Sequence, residues 1–251
     1  MIDKSEISKF ILGCDLEHIQ ESVIIAPCWY PDSVGINDTE LVSDRSCKIW
    51  NCKLDEQLFT YIITGVGACN CADTVMSLER TACKKILFIG SAGTIDKNIS
   101  IGDIVFPYSF IVCEGASRYL CQDLWTDTFG CELSISKQSC IELLRDIDMP
   151  AKHLGITCHS GRAISVESIF SQFAYIHKFI DMGCQYIDME SSAFITATKR
   201  TGIKGIVCFC ISDNVTRNQS LVTISNDMLC FRKEIRRKIM PIIIKEFITK
   251  I

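Results

Sequence analysis

The chain has 251 residues, 48% of them hydrophobic and 22% charged, with a formal net charge of -4. That make-up fits a globular protein that buries its own core and excludes a disordered or fibrous chain. It gives no electrostatic reason to bind nucleic acid or an anionic membrane surface. The 16 cysteines are the departure from average composition. No C-x-x-C spacing occurs, so zinc is not indicated, and most thiols lie inside apolar runs, where free cysteine behaves as a small hydrophobe. The nearest pairs, Cys69/Cys71 and Cys208/Cys210, have the spacing that puts both thiols on one face of a strand. The opening MIDKSEISKFILGCDLEHI carries acidic residues and no secretory h-region, and no apolar run approaches the roughly 20 residues of a membrane helix. A reduced, cytoplasmic protein is expected.

In chain order, apolar runs predict strands at 22–27 (SVIIAP), 58–67 (LFTYIITGVG), 85–93 (KILFIGSAG), 103–112 (DIVFPYSFIV) and 205–213 (GIVCFCISD). Helical patterns fill Cys69–Ala82, Ser136–Ile147, Ile169–Met182, Glu190–Thr201 and Gln219–Lys250, with Pro241 expected to kink or split the last. Such alternation predicts an α/β protein with a largely parallel or mixed sheet. Without repeats or a Pro/Ser-rich linker, residues 1–251 read as one domain. The basic cluster Arg232-Lys233 and Arg236-Arg237-Lys238 reads as a solvated helix face. His18, His153, His159 and His177 are scattered, so no metal site is expected; His159 is a candidate general base without further support.

In α/β sheets, ligands bind beyond the carboxyl ends of strands. Three predicted strands end in small or acidic residues: TGVG (64–67), GSAG (90–93) and ISDN (211–214). Each alone is turn chemistry, and by themselves Glu190 reads as a helix N-terminal acid and Asp213 as a turn residue or cap.

Taken in order, ITGVGACNCAD, ERTACKKILFIGSAGTIDKNISIGDIVFP, EGASRYL, DMESSAF and ISDN resemble the nucleoside phosphorylase superfamily, which includes purine and uridine phosphorylases and methylthioadenosine/adenosylhomocysteine nucleosidases. The likeness spans roughly residues 58–235. It implies a central mixed sheet with a distorted barrel flanked by helices, a homodimer or a hexamer built of dimers, and no cofactor beyond phosphate as co-substrate. It implies that Glu190 accepts hydrogen bonds from ribose hydroxyls, that Met189 packs on the sugar, and that Asp213, oriented by Ser212, donates a proton to purine N7. Ser91, Ala92 and Gly93 would line the nucleoside site, and Ile169 or Phe170 would stack on the base. Such a donor is needed because breaking the C–N bond leaves negative charge on the base, and general acids typically contribute about a hundredfold or more. Uridine phosphorylases carry Gln-x-Arg just after that aromatic; here Gln172 is followed by Phe173 and no arginine, which favours purine.

The co-substrate half departs from the pattern. The loop APCWYPDSVG has neither Gly-Asp-Pro nor arginine, and Phe88 stands where the strand before GSAG often carries one. Arg45 and Arg118, with Ser91 and the Gly67 backbone, are the remaining phosphate ligands. The nucleosidases' water-activating Glu is also missing, with only Asp32 nearby. Phosphorolysis of a purine nucleoside, as in purine salvage, is therefore expected first. Hydrolysis of a purine nucleoside or thionucleoside and non-catalytic nucleoside binding are the alternatives.

Overall fold

The computed structural model describes residues 3–121, 125–220 and 225–250. Its elements run α1 (Lys4–Leu12), β1 (Ser22–Ala26), β2 (Asp38–Asp44), β3 (Lys48–Leu54), β4 (Gln57–Ile63), α2 (Ala68–Ser77), β5 (Lys85–Thr94), β6 (Ile104–Cys113), α3 (Ala116–Leu120) and β7 (Glu132–Ser134). They continue with α4 (Lys137–His153), β8 (Cys158–Val166), α5 (Ile169–Gln172), α6 (Ile176–Asp181), β9 (Tyr186–Asp188), α7 (Ser191–Thr201), β10 (Lys204–Asn214) and α8 (Asn226–Lys250).

All ten strands join one sheet. Within it β5 pairs with β10, β10 with β6, β6 with β8, β8 with β9, and β9 returns to β5, which closes a five-stranded mixed barrel. Beyond β5 the sheet continues through β1, β4, β3 and β2. The shared strands are apolar on both faces, as strands covered on both sides must be. Leu87 and Ile89 of β5 join Cys208 and Cys210 of β10 in a core under α4 and α8. Ile86, Phe88, Val207, Phe209 and Ile211 point the other way, against α1, α2 and α7.

Several sequence expectations need correction. GSAG and ISDN are not loops past the strands: β5 runs through Thr94 and β10 through Asn214. The stretch 169–182 is two short helices joined by a 3-10 turn, and α2 ends at Ser77 before a 3-10 turn. Cys69 and Cys71 lie on α2 rather than on a strand, so one is exposed and the other buried, whereas Cys208 and Cys210 do share a face. All sixteen thiols are free, and half are buried. Residues 221–224, predicted as the start of the last helix, lie outside the described residues.

Pro241 does not split α8, which is continuous across it. Proline leaves the carbonyl four residues earlier without its donor. That carbonyl belongs to Arg237, and Gly35 sits directly against it: a Cβ there would lie 2.4 Å from the Arg237 oxygen, at a φ of +81°. Gly35→Ala is therefore expected to destabilise the fold by about 2 kcal/mol or more. Chemical denaturation measures this, and an unchanged midpoint would refute the packing argument. The pairing matters for the site because it presses α8 onto the loop that follows β1.

Candidate active site

The site assembles where the ends of β1, β4, β5, β9 and β10 converge. Gly93 of β5 has Asp213 of β10 opposite it on one side and Ile187 of β9 on the other. A Cβ on Gly93 would meet the Asp213 carboxylate at 3.0 Å, so the missing side chain makes room for the acid. A register shift between Ile211 and Asp213 breaks the strand's alternation. Ile211 stays in the core while Asp213 is re-aimed, the usual service of a bulge beside a functional site. Burial raises the pKa of Asp213, while Ser212 and the nearby Arg232 act to lower it. The Ser212 hydroxyl lies within hydrogen-bonding reach of both the Ala92 carbonyl and the Asp213 carboxyl.

Glu190 is positioned by a division of labour. It occupies the N-cap position of α7 yet makes no capping bond. Asp188 performs that task, accepting from the backbone N–H groups of Glu190 at 3.0 Å and Ser191 at 2.6 Å. The Glu190 side chain is thereby released to cross to the start of α2, where the Gly67 N–H donates to it at 2.7 Å. Gly67 can present that N–H because its φ is +113°, a conformation largely confined to glycine. Burial first, and then the neighbouring Asp188 charge, pushes the Glu190 carboxyl up to about 7.

Sequence reasoning missed Asp188 and its partner Ser165. The buried Ser165 hydroxyl donates to Asp188 at 2.7 Å and accepts from the Ser192 N–H at 2.8 Å. The signal was present as an Asx residue three positions before a helix start. Ser165→Ala is expected to cost about 1–3 kcal/mol, the penalty for leaving buried groups unpaired. Thermal unfolding tests this, and a wild-type midpoint would remove Ser165 from the support. Glu114, which opens EGASRYL, is also buried; it accepts from the Ser117 N–H and, at 2.8 Å, from the Ser192 hydroxyl, tying α3 to α7.

The other predicted residues fall as follows. Met189 is half-buried between the two acids, Ala92 is buried, and Ser91 is exposed on β5. Ile169 and Phe170 on α5 are uncovered, Phe170 by 95%. Arg45 is exposed in the β2–β3 turn, against Gly13. Arg118 is ion-paired with Asp127 at 2.9 Å. The Gly67 N–H is taken by Glu190. Phe88 is buried between Phe194 and Phe209, where no anion can reach it. His159 bonds Asp103 at 2.9 Å and makes no bond to Glu190 or Asp213 among the described residues. Asp32 is exposed in a 3-10 turn.

The basic cluster is not uniformly solvated. Lys233, Arg237 and Lys238 are exposed, but Arg232 is half-buried and Arg236 is only 9% exposed. Among the described residues, no group of three or more His, Cys, Asp or Glu side chains is placed to hold a metal ion. None of the described helices is long and apolar enough to cross a membrane.

The family model of the phosphorylase superfamily matches residues 31–239, most of the chain, including the strands and helices that carry Glu190 and Asp213. The chain belongs to the phosphorylase superfamily. Uridine phosphorylase of Escherichia coli (strain K12) is 22% identical over 224 residues, covering 81% of this chain and 84% of its own. Guanosine phosphorylase of Halorubrum lacusprofundi is 24% identical over 187 residues, 73% of each chain. The crystal structure of purine nucleoside phosphorylase from Toxoplasma gondii in complex with immucillin-H superimposes with a TM-score of 0.74 over 96% of each chain, at 18% identity. This member of the superfamily thus shares its barrel with nucleoside phosphorylases that act on different bases.

Proposed function

We propose that the protein cleaves the N-glycosidic bond of a purine nucleoside by phosphorolysis, releasing the base and ribose 1-phosphate. The observation that carries this reading is Asp213, a carboxyl whose burial raises its pKa, held on a bulge against the bare Gly93. The Ser212 hydroxyl, which also reaches the Ala92 carbonyl, is placed to orient that carboxyl. As the C1′–N9 bond breaks, its electron pair moves onto the purine, and Asp213 protonates N7. A phosphate oxygen bonds C1′, and the proton that phosphate sheds on becoming an ester restores the acid. Glu190, aimed into the site by Gly67, takes the ribose hydroxyls, with Met189 against the sugar. Phe170 offers an uncovered ring to the base, and Phe173 after Gln172 leaves no arginine to read uracil.

Chromatography of bases and sugars tests this, after incubation with adenosine, inosine, guanosine, methylthioadenosine and uridine, with and without phosphate. Phosphate-dependent purine release with ribose 1-phosphate is expected. Equal release without phosphate would make the protein a hydrolase and overturn the reading.

An assembly belongs to the same proposal. Phe129, Tyr175 and Phe179 border an apolar cavity of about 490 Å³, and Phe129 and Tyr175 are exposed there. A second copy of the chain against this face would cover them, in a homodimer or a trimer of dimers. The sixteen unpaired thiols favour a reducing compartment such as the cytoplasm.

A further inference from the structure

The arginines by which a phosphorylase holds an oxyanion are missing from the loop after β1 and from the Phe88 position, so something else must face the dianion. We propose that Arg232 and Arg236, one turn apart on α8, form the cationic wall of the phosphate site. This rests on the phosphorolysis reading and names the chain's own replacement for the absent arginines.

Four observations point there. First, residues four apart share one helix face, and this face is turned inward, since its neighbours Lys233, Arg237 and Lys238 are exposed while Arg236 is nine-tenths buried. Second, both guanidinium groups are anchored without being neutralised. Arg232 donates to the Ser212 carbonyl at 2.9 Å, beside Asp213. Arg236 donates through Nε to the Ser33 carbonyl at 3.1 Å and lies over the Trp29 ring at 4.6 Å. Among the described residues, neither has a carboxylate partner within salt-bridge distance. Burying a cation without a counter-charge is costly, and a bound dianion is the natural compensation.

Third, the pair faces the correct place. Cys28, exposed in the loop after β1, lies within electrostatic range of Glu190, Arg236 and Arg232. Its neighbour Pro27 borders Gly90, so the loop runs alongside Ser91. A nucleophile attacking C1′ needs a cation near both the ribose carboxylate and the acid, and Arg232 beside Asp213, with Arg236 held on the loop after β1, stands there. Fourth, Gly35 locks α8 to this loop at the Arg237 carbonyl, so the wall is fixed by backbone packing.

The test is a split of kinetic constants. In Arg236→Gln, the KM for phosphate should rise at least about tenfold, as for loss of a charge-assisted phosphate contact, with the nucleoside KM within about twofold. Arg236→Lys should recover part of the loss. Because Arg236 also packs on Trp29, Arg232→Gln provides a second variant at a position that is less buried. An unchanged phosphate KM in both variants, or equal rises in both constants, would overturn the proposal.

Titration of the wild-type protein with inorganic phosphate separates this inference from the reading beneath it. Saturable binding lost in both glutamine variants supports the arginine wall even if base release proves independent of phosphate. Absence of wild-type phosphate binding refutes it. Phosphate-dependent turnover that survives both variants refutes the wall and leaves phosphorolysis standing.

Discussion

Asp213→Asn is expected to lower kcat on purine nucleosides by at least about tenfold, the lower range for loss of a general acid, while leaving nucleoside affinity within about twofold. The amide is nearly isosteric, so the bulge, the Gly93 clearance and the reach of Ser212 are retained. What disappears is the transferable proton. Affinity is spared because N7 can still accept a hydrogen bond from the amide, whereas the transition state requires the proton to move. Steady-state kinetics with inosine and adenosine, alongside calorimetric binding of each, decide the matter. An unchanged kcat would remove Asp213 from the chemistry, and an equal loss of affinity would make it a binding group only.

The second large effect concerns Glu190 and has two parts. On function, Glu190→Gln should weaken turnover of ribonucleosides, because a carboxylate is the stronger acceptor for two sugar hydroxyls. On stability the sign is opposite. In the unfolded chain a glutamate titrates at its ordinary value, whereas in the fold burial and the Asp188 charge push it up to about 7. Below the unfolded value both states hold the proton and no penalty exists. As pH rises from there through about 7, the folded protein must bear a poorly solvated charge, and stability falls. The full cost above that range is roughly 3 kcal/mol. Glu190→Gln should therefore be the more stable protein at pH 8 by up to about that amount, with the difference fading toward pH 4.5. Urea denaturation across this range measures it. A variant less stable than wild type at pH 8 would mean that favourable contacts, not burial, dominate at Glu190. Asp188 is raised by burial as well, so the two acids titrate as a pair.

The legible parts of the sequence were those where one periodicity prevailed. β1, β4, β5, β6 and β10 stood out because covered strands are apolar on both faces. β2 and β3 did not, since β2 is mostly exposed, β3 is half-buried, and the polar Arg45 and Ser46 interrupt them in the turn. β8 begins with the polar Cys-His-Ser-Gly-Arg, and β9 is three residues long, too short for any pattern to register. α4 passes beyond its expected end at Ile147 and continues through Pro150 to His153. At the site, Glu190 and Asp213 were found through motifs. Asp188, Ser165 and the inward turn of Arg236 were not, because each acquires its role from a partner distant in the chain. A basic cluster looks the same in sequence whether its face is turned to water or to a site.

One consequence of the architecture concerns a part of the sheet far from the acids. Closing β5, β10, β6, β8 and β9 into a ring leaves β2 as the long outer strand, paired among the described residues with β3 alone. Its exposed backbone would be a template for a passing chain. It carries Asp38, Glu40 and Asp44 along seven residues, and its register slips between Leu41 and Ser43. Repulsion between two such acidic edges, together with the kink from the slip, discourages strand-to-strand growth into fibres. The open flank of a sheet so rich in apolar strands is thereby guarded against pairing with another chain.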